Sequence, residues 1–414
     1  MIEYLFKHPA VLARYREGRF AQAREEFLQH CAKEGYSHSM LRKIAWTLLA
    51  VADGIDIDHG NVTTQDIELA VDRRRRFKRQ PMHAKESKWT RQMSIHFATQ
   101  WMQHLGCLHQ APKVQNIFAE QIDVFARYMR EERGLSPVTI STRCQRLTWF
   151  FTGLLPSQNR LSAITVSDVD AFIESKGQEG WTRASLAALV SSLRSYFSFA
   201  EARGWCARGI AAVIESPRLY AREGIPESPG WEDVQRLLAS TSGSRPADIR
   251  DHAILMLLAV YGLRRGEVAA LRLGDLDWEG ELIHVTRPKQ RLTQRYPLLP
   301  AVGEAILRYL RDVRPRCEHR ALFLTMCAPI RPLSAPSITP VAHAHLSRLG
   351  LTLSPRGAHC LRHACASHLL ASGFSLKQIG DHLGHRSANS TMSYTKVDLI
   401  GLRQVAELDL GALL

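Results

Sequence analysis

No two of the eight cysteines, Cys31, Cys107, Cys144, Cys206, Cys317, Cys327, Cys360 and Cys365, stand in C-x-x-C spacing. The scatter excludes a disulfide framework and suits reduced thiols inside the cell. Nor is there an apolar run long enough for a membrane span. The opening stretch, MIEYLFKHPAVLARYREGRF, is charged too early and too often for a signal peptide. A soluble, cytoplasmic chain is expected. Acidic residues are the third shortage: 40 Asp plus Glu face 54 Lys plus Arg, a net charge of +14. Such a balance suits a polyanionic partner. What the chain does have is length, 414 residues, enough for two or three domains with cores of their own.

The first 72 residues read as mostly helical. RFAQAREEFLQHCAKEG carries Phe20, Ala23, Phe27 and Cys31 at helical spacing and ends at Gly35. SHSMLRKIAWTLLAVADG follows, with Ser37 as a candidate cap, and TTQDIELAVDRRRR opens a third helix near Thr64. A basic run, RRRRFKRQPMHAKESKWTR, then fills residues 73–91. It reads equally as a solvated linker or as a segment that tracks phosphates through Arg73, Arg74, Arg75, Arg76, Lys78 and Arg79. Beyond it the helical pattern returns. EEFLQHCAKEGYSHSMLRKIAWTLLAVADG parallels DVFARYMREERGLSPVTISTRCQRLTWFFTG, and NVTTQDIELAV parallels AITVSDVDAFI, with Asp66 opposite Asp168. This is the pattern of an internal duplication. The second copy adds a long helix, TRASLAALVSSLRSYFSFAEARG, and SPRLYAREGIPESPGW (residues 216–231) reads as a linker. Three domains are expected, at 1–92, 93–222 and 223–414.

In the last of these, WEDVQRLLAS and ADIRDHAILMLLAVYG read as helices, the second apolar enough to be buried. ELIHVTRPKQRLTQRYPLLP alternates as strand, turn and strand, and ALFLT (321–325) is a candidate third strand. DLIGLRQVAELDLGALL reads as a C-terminal helix. Between them, residues 354–397 gather His359, Arg362, His363, His368, His382, His385 and Tyr394. Leu361, Ala364, Leu369 and Leu370 mark one helix ending at Gly373. Ser375 caps a second, SLKQIGDHL, which Gly384 stops just before His385. Arginine offers a planar fork for phosphate oxygens, histidine moves protons near neutral pH, and a tyrosine hydroxyl can be a nucleophile.

The segment AHCLRHACASHLLASG…IGDHLGHRSANSTMSYTKV resembles the second box of the tyrosine recombinases, the phage-integrase and Xer-type family: H-x-x-R-H, then L-G-H, then Tyr nine residues on. YGLRRGEVAALRLGDLDW resembles the family's first box, G-L-R-x-x-E-x-x-x-L. The resemblance implies a mainly α fold with a small antiparallel β-sheet in the catalytic domain, preceded by helical SAM-like DNA-binding domains. It implies as catalytic residues Arg264, His359, Arg362, His385 and the nucleophile Tyr394, with Glu267 in support. The family's hairpin lysine falls on Lys289, where the usual flanking glycines are replaced by Pro288 and Gln290, so Arg287 and Arg291 stay as competitors. No cofactor and no metal are implied; the partners are double-stranded DNA and sister protomers, as a homotetramer on two DNA sites, with sister recombinases a possible addition. The first helical unit would be an extra copy of the core-binding domain, and the added unit points to a mobile element or phage.

Two rival readings differ in chemistry. His359 and His363 lie four apart, as metal ligands on a helix do, but no Asp or Glu lies between Arg356 and Gly380 and H-E-x-x-H is absent. A catalytically inactive DNA-binding accessory protein would have lost a catalytic residue, whereas every motif position is filled.

Overall fold

The computed structural model describes residues 1–55, 62–77, 88–109, 117–154, 160–219, 228–287, 292–351, 357–385 and 391, with the backbone alone at 74–77, 88–89 and 292. The chain divides into two compact units. One comprises Met1–His59, Asp66–Cys107 and Gly224–Leu414; the other comprises Gly60–Gln65 and Leu108–Glu223.

In the first unit, α1 (Ile2–Leu5) and α2 (Pro9–Glu17) lead into α3 (Ala21–Lys33), α4 (His38–Ala52), α5 (Thr64–Phe77) and α6 (Lys88–His104). Ser37 caps α4 by accepting the Met40 N–H. The first two helices carry no clear signal in the sequence. They are held by Phe6 and Tyr15, buried and stacked at 4.9 Å beside Trp46, and by buried Arg24, which donates to the Tyr15, Gly18 and Arg19 carbonyls. The domain boundary expected after residue 92 falls inside α6, which packs on α3 and α4. The basic run hid this helix because its charge suggested a linker. In the folded chain Arg73 ends up on α5, and Arg91 pairs with Asp72 at 2.8 Å.

The second unit repeats the pattern with α7 (Ala119–Glu131), α8 (Pro137–Thr152), α9 (Val166–Gln178) and α10 (Arg183–Ala202), followed by α11 (Ile210–Val213). Ser136 caps α8 through the Thr139 N–H, as Ser37 does α4, and α8 packs on α7 and α10 as α4 packs on α3 and α6. Buried positions correspond: Phe27 with Phe125, Leu48 with Leu147, Ile67 with Val169, Ser94 with Ser192, Trp101 with Phe199. The three helices matched in the sequence are thus joined by a fourth pair, α6 and α10.

The C-terminal part of the first unit has a core of its own, centred on α13 (Pro246–Val260), where Ile254, Leu255, Leu257 and Leu258 are fully buried. Around it stand α12 (Trp231–Ser240), α14 (Arg265–Ala270), α15 (Pro300–Asp312), α16 (Ala335–Arg348), α17 (Ala358–Ala371) and α18 (Leu376–Leu383). The sheet is antiparallel, in the order β1 (Leu276–Asp277), β2 (Leu282–Arg287), β3 (Leu292–Pro297), with Ile283 opposite Tyr296 and Val285 opposite Gln294. The third strand is therefore Leu276–Asp277. The candidate at 321–325 makes only isolated bridges, Arg272 with Ala321 and Leu324 with Pro332, whose proline has no N–H to extend a ladder. The expected C-terminal helix lies outside the described residues.

Candidate active site

Local geometry at the end of α13 sets the first arginine. Gly262, at φ +60°, lies so close to α18 that a Cβ there would come 2.5 Å from Leu383 Cδ2. Two residues on, Arg264 is the N-cap of α14. Glu267 folds back on it: Oε2 accepts the Arg264 backbone N–H and Oε1 accepts Nη1, both at 2.8 Å. The Glu267 side chain is 4 % exposed and that of Arg264 39 %. One edge of the guanidinium is anchored in the protein while the rest reaches the surface.

On α17, His359, Arg362 and His363 occupy one face. Arg362 is 2 % exposed and donates through Nη1 to the Gly262 carbonyl at 2.6 Å and through Nη2 to the Leu383 carbonyl at 2.7 Å. The His359 and His363 rings meet edge to face, 4.3 Å between centroids. Ser375 and Gln378 close a capping box at the start of α18. Its end is Gly384, at φ +61°, and the His385 backbone N–H returns to the Gly380 carbonyl at 2.8 Å. Nδ1 of His385 lies 2.7 Å from the hydroxyl of Thr391, a buried residue. Arg264 Nη2 reaches the Gly384 carbonyl at 3.2 Å. Arg264, Arg362 and His385, from three separated segments, thus converge on the end of α18.

The electrostatics follow from that convergence. Desolvation, then the positive charge of Arg362, Arg264 and Arg287, pushes the His385 pKa down to about 4. His363 falls to about 4 through desolvation, then His359 and Arg362. His359 is lowered by its protein surroundings and then by Arg362 and Arg264, although its outer edge remains open to solvent. All three are therefore neutral imidazoles at pH 7, each with one N–H donor and one acceptor. The Nδ1 contact with the Thr391 hydroxyl fits either tautomer; in the one that carries the proton on Nε2, the hydroxyl donates to Nδ1.

Lys289, Tyr394, Lys78 and Arg79 lie outside the described residues. Arg73 is exposed on α5, and of Arg74, Arg75 and Arg76 only the helical backbone is described. Arg287 is not at the surface: it is 2 % exposed, and its Nη1 and Nη2 donors are engaged by Glu267, Tyr296 and the carbonyls of His382 and Leu383, while Nε has no partner among the described residues. The period-two pattern that places Arg287 on the same face as buried Ile283 and Val285 was the signal in the sequence for this inward position. In the sequence Ser390 or Thr391 reads as a candidate start of a helical turn carrying Tyr394, and nothing marks Thr391 as a partner for His385. Among the described residues, no three His, Cys, Asp or Glu side chains are placed to hold a metal ion.

Residues 231–399 match the phage integrase family, and residues 122–204 match the phage integrase N-terminal SAM-like domain. The chain is similar to putative integrase/recombinase y4rA of Sinorhizobium fredii, with 34 % identity over 308 residues that cover 70 % of this chain and 74 % of that one. It is similar to tyrosine recombinase XerD of Listeria monocytogenes, with 29 % identity over 289 residues, 69 % of this chain and 96 % of that one. Among solved structures, the XerH site-specific recombinase bound to a palindromic difH substrate shares its fold at a TM-score of 0.54 and 17 % identity, over 83 % of this chain and 96 % of that one.

Proposed function

We propose that this chain, which belongs to the phage integrase family of tyrosine recombinases, cleaves and rejoins DNA at a specific site with Tyr394 as its nucleophile. The observation that carries the residue assignment is the convergence of Arg264, Arg362 and the neutral His385 at the end of α18. Two guanidiniums and an imidazole N–H are the donors a phosphodiester needs as negative charge builds on its non-bridging oxygens.

In this reading the Tyr394 oxygen forms a bond to phosphorus as the bond to the 5′-oxygen breaks, leaving a 3′-phosphotyrosine and a free 5′-hydroxyl. The tyrosine proton passes towards His359, whose lowered pKa leaves it neutral and able to accept. Lys289 supplies the proton to the 5′-oxygen. One phosphoester replaces another, so the bond is conserved, and the 5′-hydroxyl of a partner strand reverses the step. Arg264 and Arg362 bind and stabilise, with Glu267 holding Arg264 in place.

The partner is double-stranded DNA, held by the SAM-like unit at 122–204 and by the catalytic part. We assign the first helical copy, α3–α6, to a second grip on DNA, with Arg73, Arg74, Arg75, Arg76, Lys78 and Arg79 facing phosphates. The likeness between the two four-helix copies supports this. Four protomers on two sites complete the exchange, and the similarity to y4rA supports an element that moves between DNA sites. The test is a nicked substrate that traps the covalent intermediate, run in excess EDTA. A denaturant-resistant adduct at an undiminished rate is expected; a requirement for Mg²⁺ or Zn²⁺ in cleavage itself would overturn the assignment of charge stabilisation to Arg264 and Arg362.

A further inference from the structure

A buried cation on β2 remains that none of these steps uses. Ile283 and Val285, its neighbours on the inner face, are 0 % and 1 % exposed, and at 2 % Arg287 occupies a place an aliphatic side chain would fill more cheaply. The contacts of Nη1 and Nη2 account for its being there, whereas Nε has no partner among the described residues. Nη1 donates to Glu267 Oε1 at 3.3 Å and to the Leu383 carbonyl; Nη2 donates to the Tyr296 hydroxyl and, at 3.3 Å, to the His382 carbonyl. The Tyr296 hydroxyl also donates to the His382 carbonyl. Gly384 is the complement of this arrangement, for a Cβ there would lie 2.3 Å from the Arg287 guanidinium.

We propose that Arg287 is a positioning residue of the catalytic centre: it locks the Glu267 carboxylate and the last turn of α18 to the hairpin, and so fixes where Arg264 and His385 meet the scissile phosphate. Glu267 Oε1 is shared between Arg264 Nη1 and Arg287 Nη1, so the angle of the first guanidinium depends on the second. The Leu383 carbonyl is likewise shared between Arg287 and Arg362, immediately before Gly384 and His385. The negative end of α18 and one carboxylate thereby gather three guanidiniums, of which Arg287 alone is neither at the surface nor at a motif position. It does not protonate the leaving group, since the side chain is 2 % exposed and its Nη1 and Nη2 donors are turned to Glu267, Tyr296 and the end of α18.

The inference rests on the recombinase reading, and its test separates the two. Single-turnover cleavage is measured for wild type, Arg287→Met, Arg264→Ala and the double variant, on ordinary DNA and on DNA whose leaving 5′-oxygen is sulfur. A displaced guanidinium costs about 10²-fold in rate. Arg287→Met is expected to lose about that much equally on both substrates, with DNA affinity unchanged, and to add little to the defect of Arg264→Ala. Rescue by sulfur would make Arg287 the general acid, and a full multiplicative loss in the double variant would show that it does not act through Arg264; either overturns the proposal, as does an unimpaired single variant. Arg287→Lys, which keeps a cation beside Glu267 but cannot span His382, Leu383 and Tyr296, is expected to give the same pattern and serves if the Met variant does not fold. No covalent cleavage by wild type would instead overturn the recombinase reading itself.

Discussion

Replacing Glu267 with Gln tests the electrostatic frame of the site. The carboxylate faces Arg264 Nη1 at 2.8 Å and Arg287 Nη1 at 3.3 Å, and its own side chain is 4 % exposed. Breaking a buried ion pair by removing one partner costs about 3–5 kcal/mol, because the remaining charge stays buried and uncompensated. Arg287, at 2 %, cannot turn to water, whereas Arg264, at 39 %, partly can. Gln also keeps one carbonyl acceptor, so the loss belongs at the lower end, about 3 kcal/mol. For a part of the chain of this size that is a fall in melting temperature of about 6–12 °C. The full chain has several cores and need not unfold in one step, so the assay is hydrogen exchange followed by mass spectrometry. Peptides covering α14, β2 and α18 should lose protection while those of α7–α10 keep theirs. Unchanged protection at α14 and α18, with cleavage at the wild-type rate, would refute the view that this carboxylate is the counter-charge of the centre.

Other expectations follow from the same assignments. Lys289→Ala should slow cleavage of ordinary DNA severely and be largely rescued when the leaving oxygen is sulfur, which needs no general acid; equal defects on both substrates would remove Lys289 from that role. With His363 and His385 held at about 4 in the folded chain against 6.5 when unfolded, the unfolded state binds more protons between those values. Their contribution is therefore complete above pH 6.5 and lost as pH falls towards 4, by at most about 3 kcal/mol for each. Denaturant midpoints at pH 7.5 and pH 5 check this, and equal midpoints would contradict it. Changing Arg73, Arg74, Arg75, Arg76, Lys78 and Arg79 to Ala should flatten the salt dependence of DNA binding by about 0.9 in log–log slope per lost phosphate contact; an unchanged slope together with failed pairing of two sites would assign this segment to protomer contacts instead.

The sequence made the site legible where chemistry and local structure coincide. Arg264 and Glu267 are three apart because one caps a helix that the other's carboxylate closes, and Gly384 stands before His385 because α18 must end there. Helices with a strong apolar signal, a stripe in α10 and a nearly continuous apolar run in α13, were legible as well. What stayed hidden depends on partners distant in the chain. Arg287 reads locally as one more cation in a basic hairpin, and only the packing of α18 on β2 gives it Leu383 and His382 to bind. Thr391, six residues beyond His385, becomes its partner only in the folded chain. In α6, composition misled about the boundary: the basic run to Arg91 read as a linker and set the break after residue 92, although the helix that buries Ile95, Ala98, Trp101 and Met102 begins at Lys88.

The assignment of Tyr394 is tested most directly by digesting the trapped protein–DNA adduct and locating the modified residue by mass spectrometry, beside Tyr394→Phe. The nucleotide should be found on the peptide containing Tyr394, linked through its 3′-phosphate. The Phe variant should give no adduct while binding the same DNA within a few-fold, since most contacts to the duplex come from other side chains. An adduct on any other residue, or a denaturant-resistant adduct from the Phe variant, would contradict the assignment.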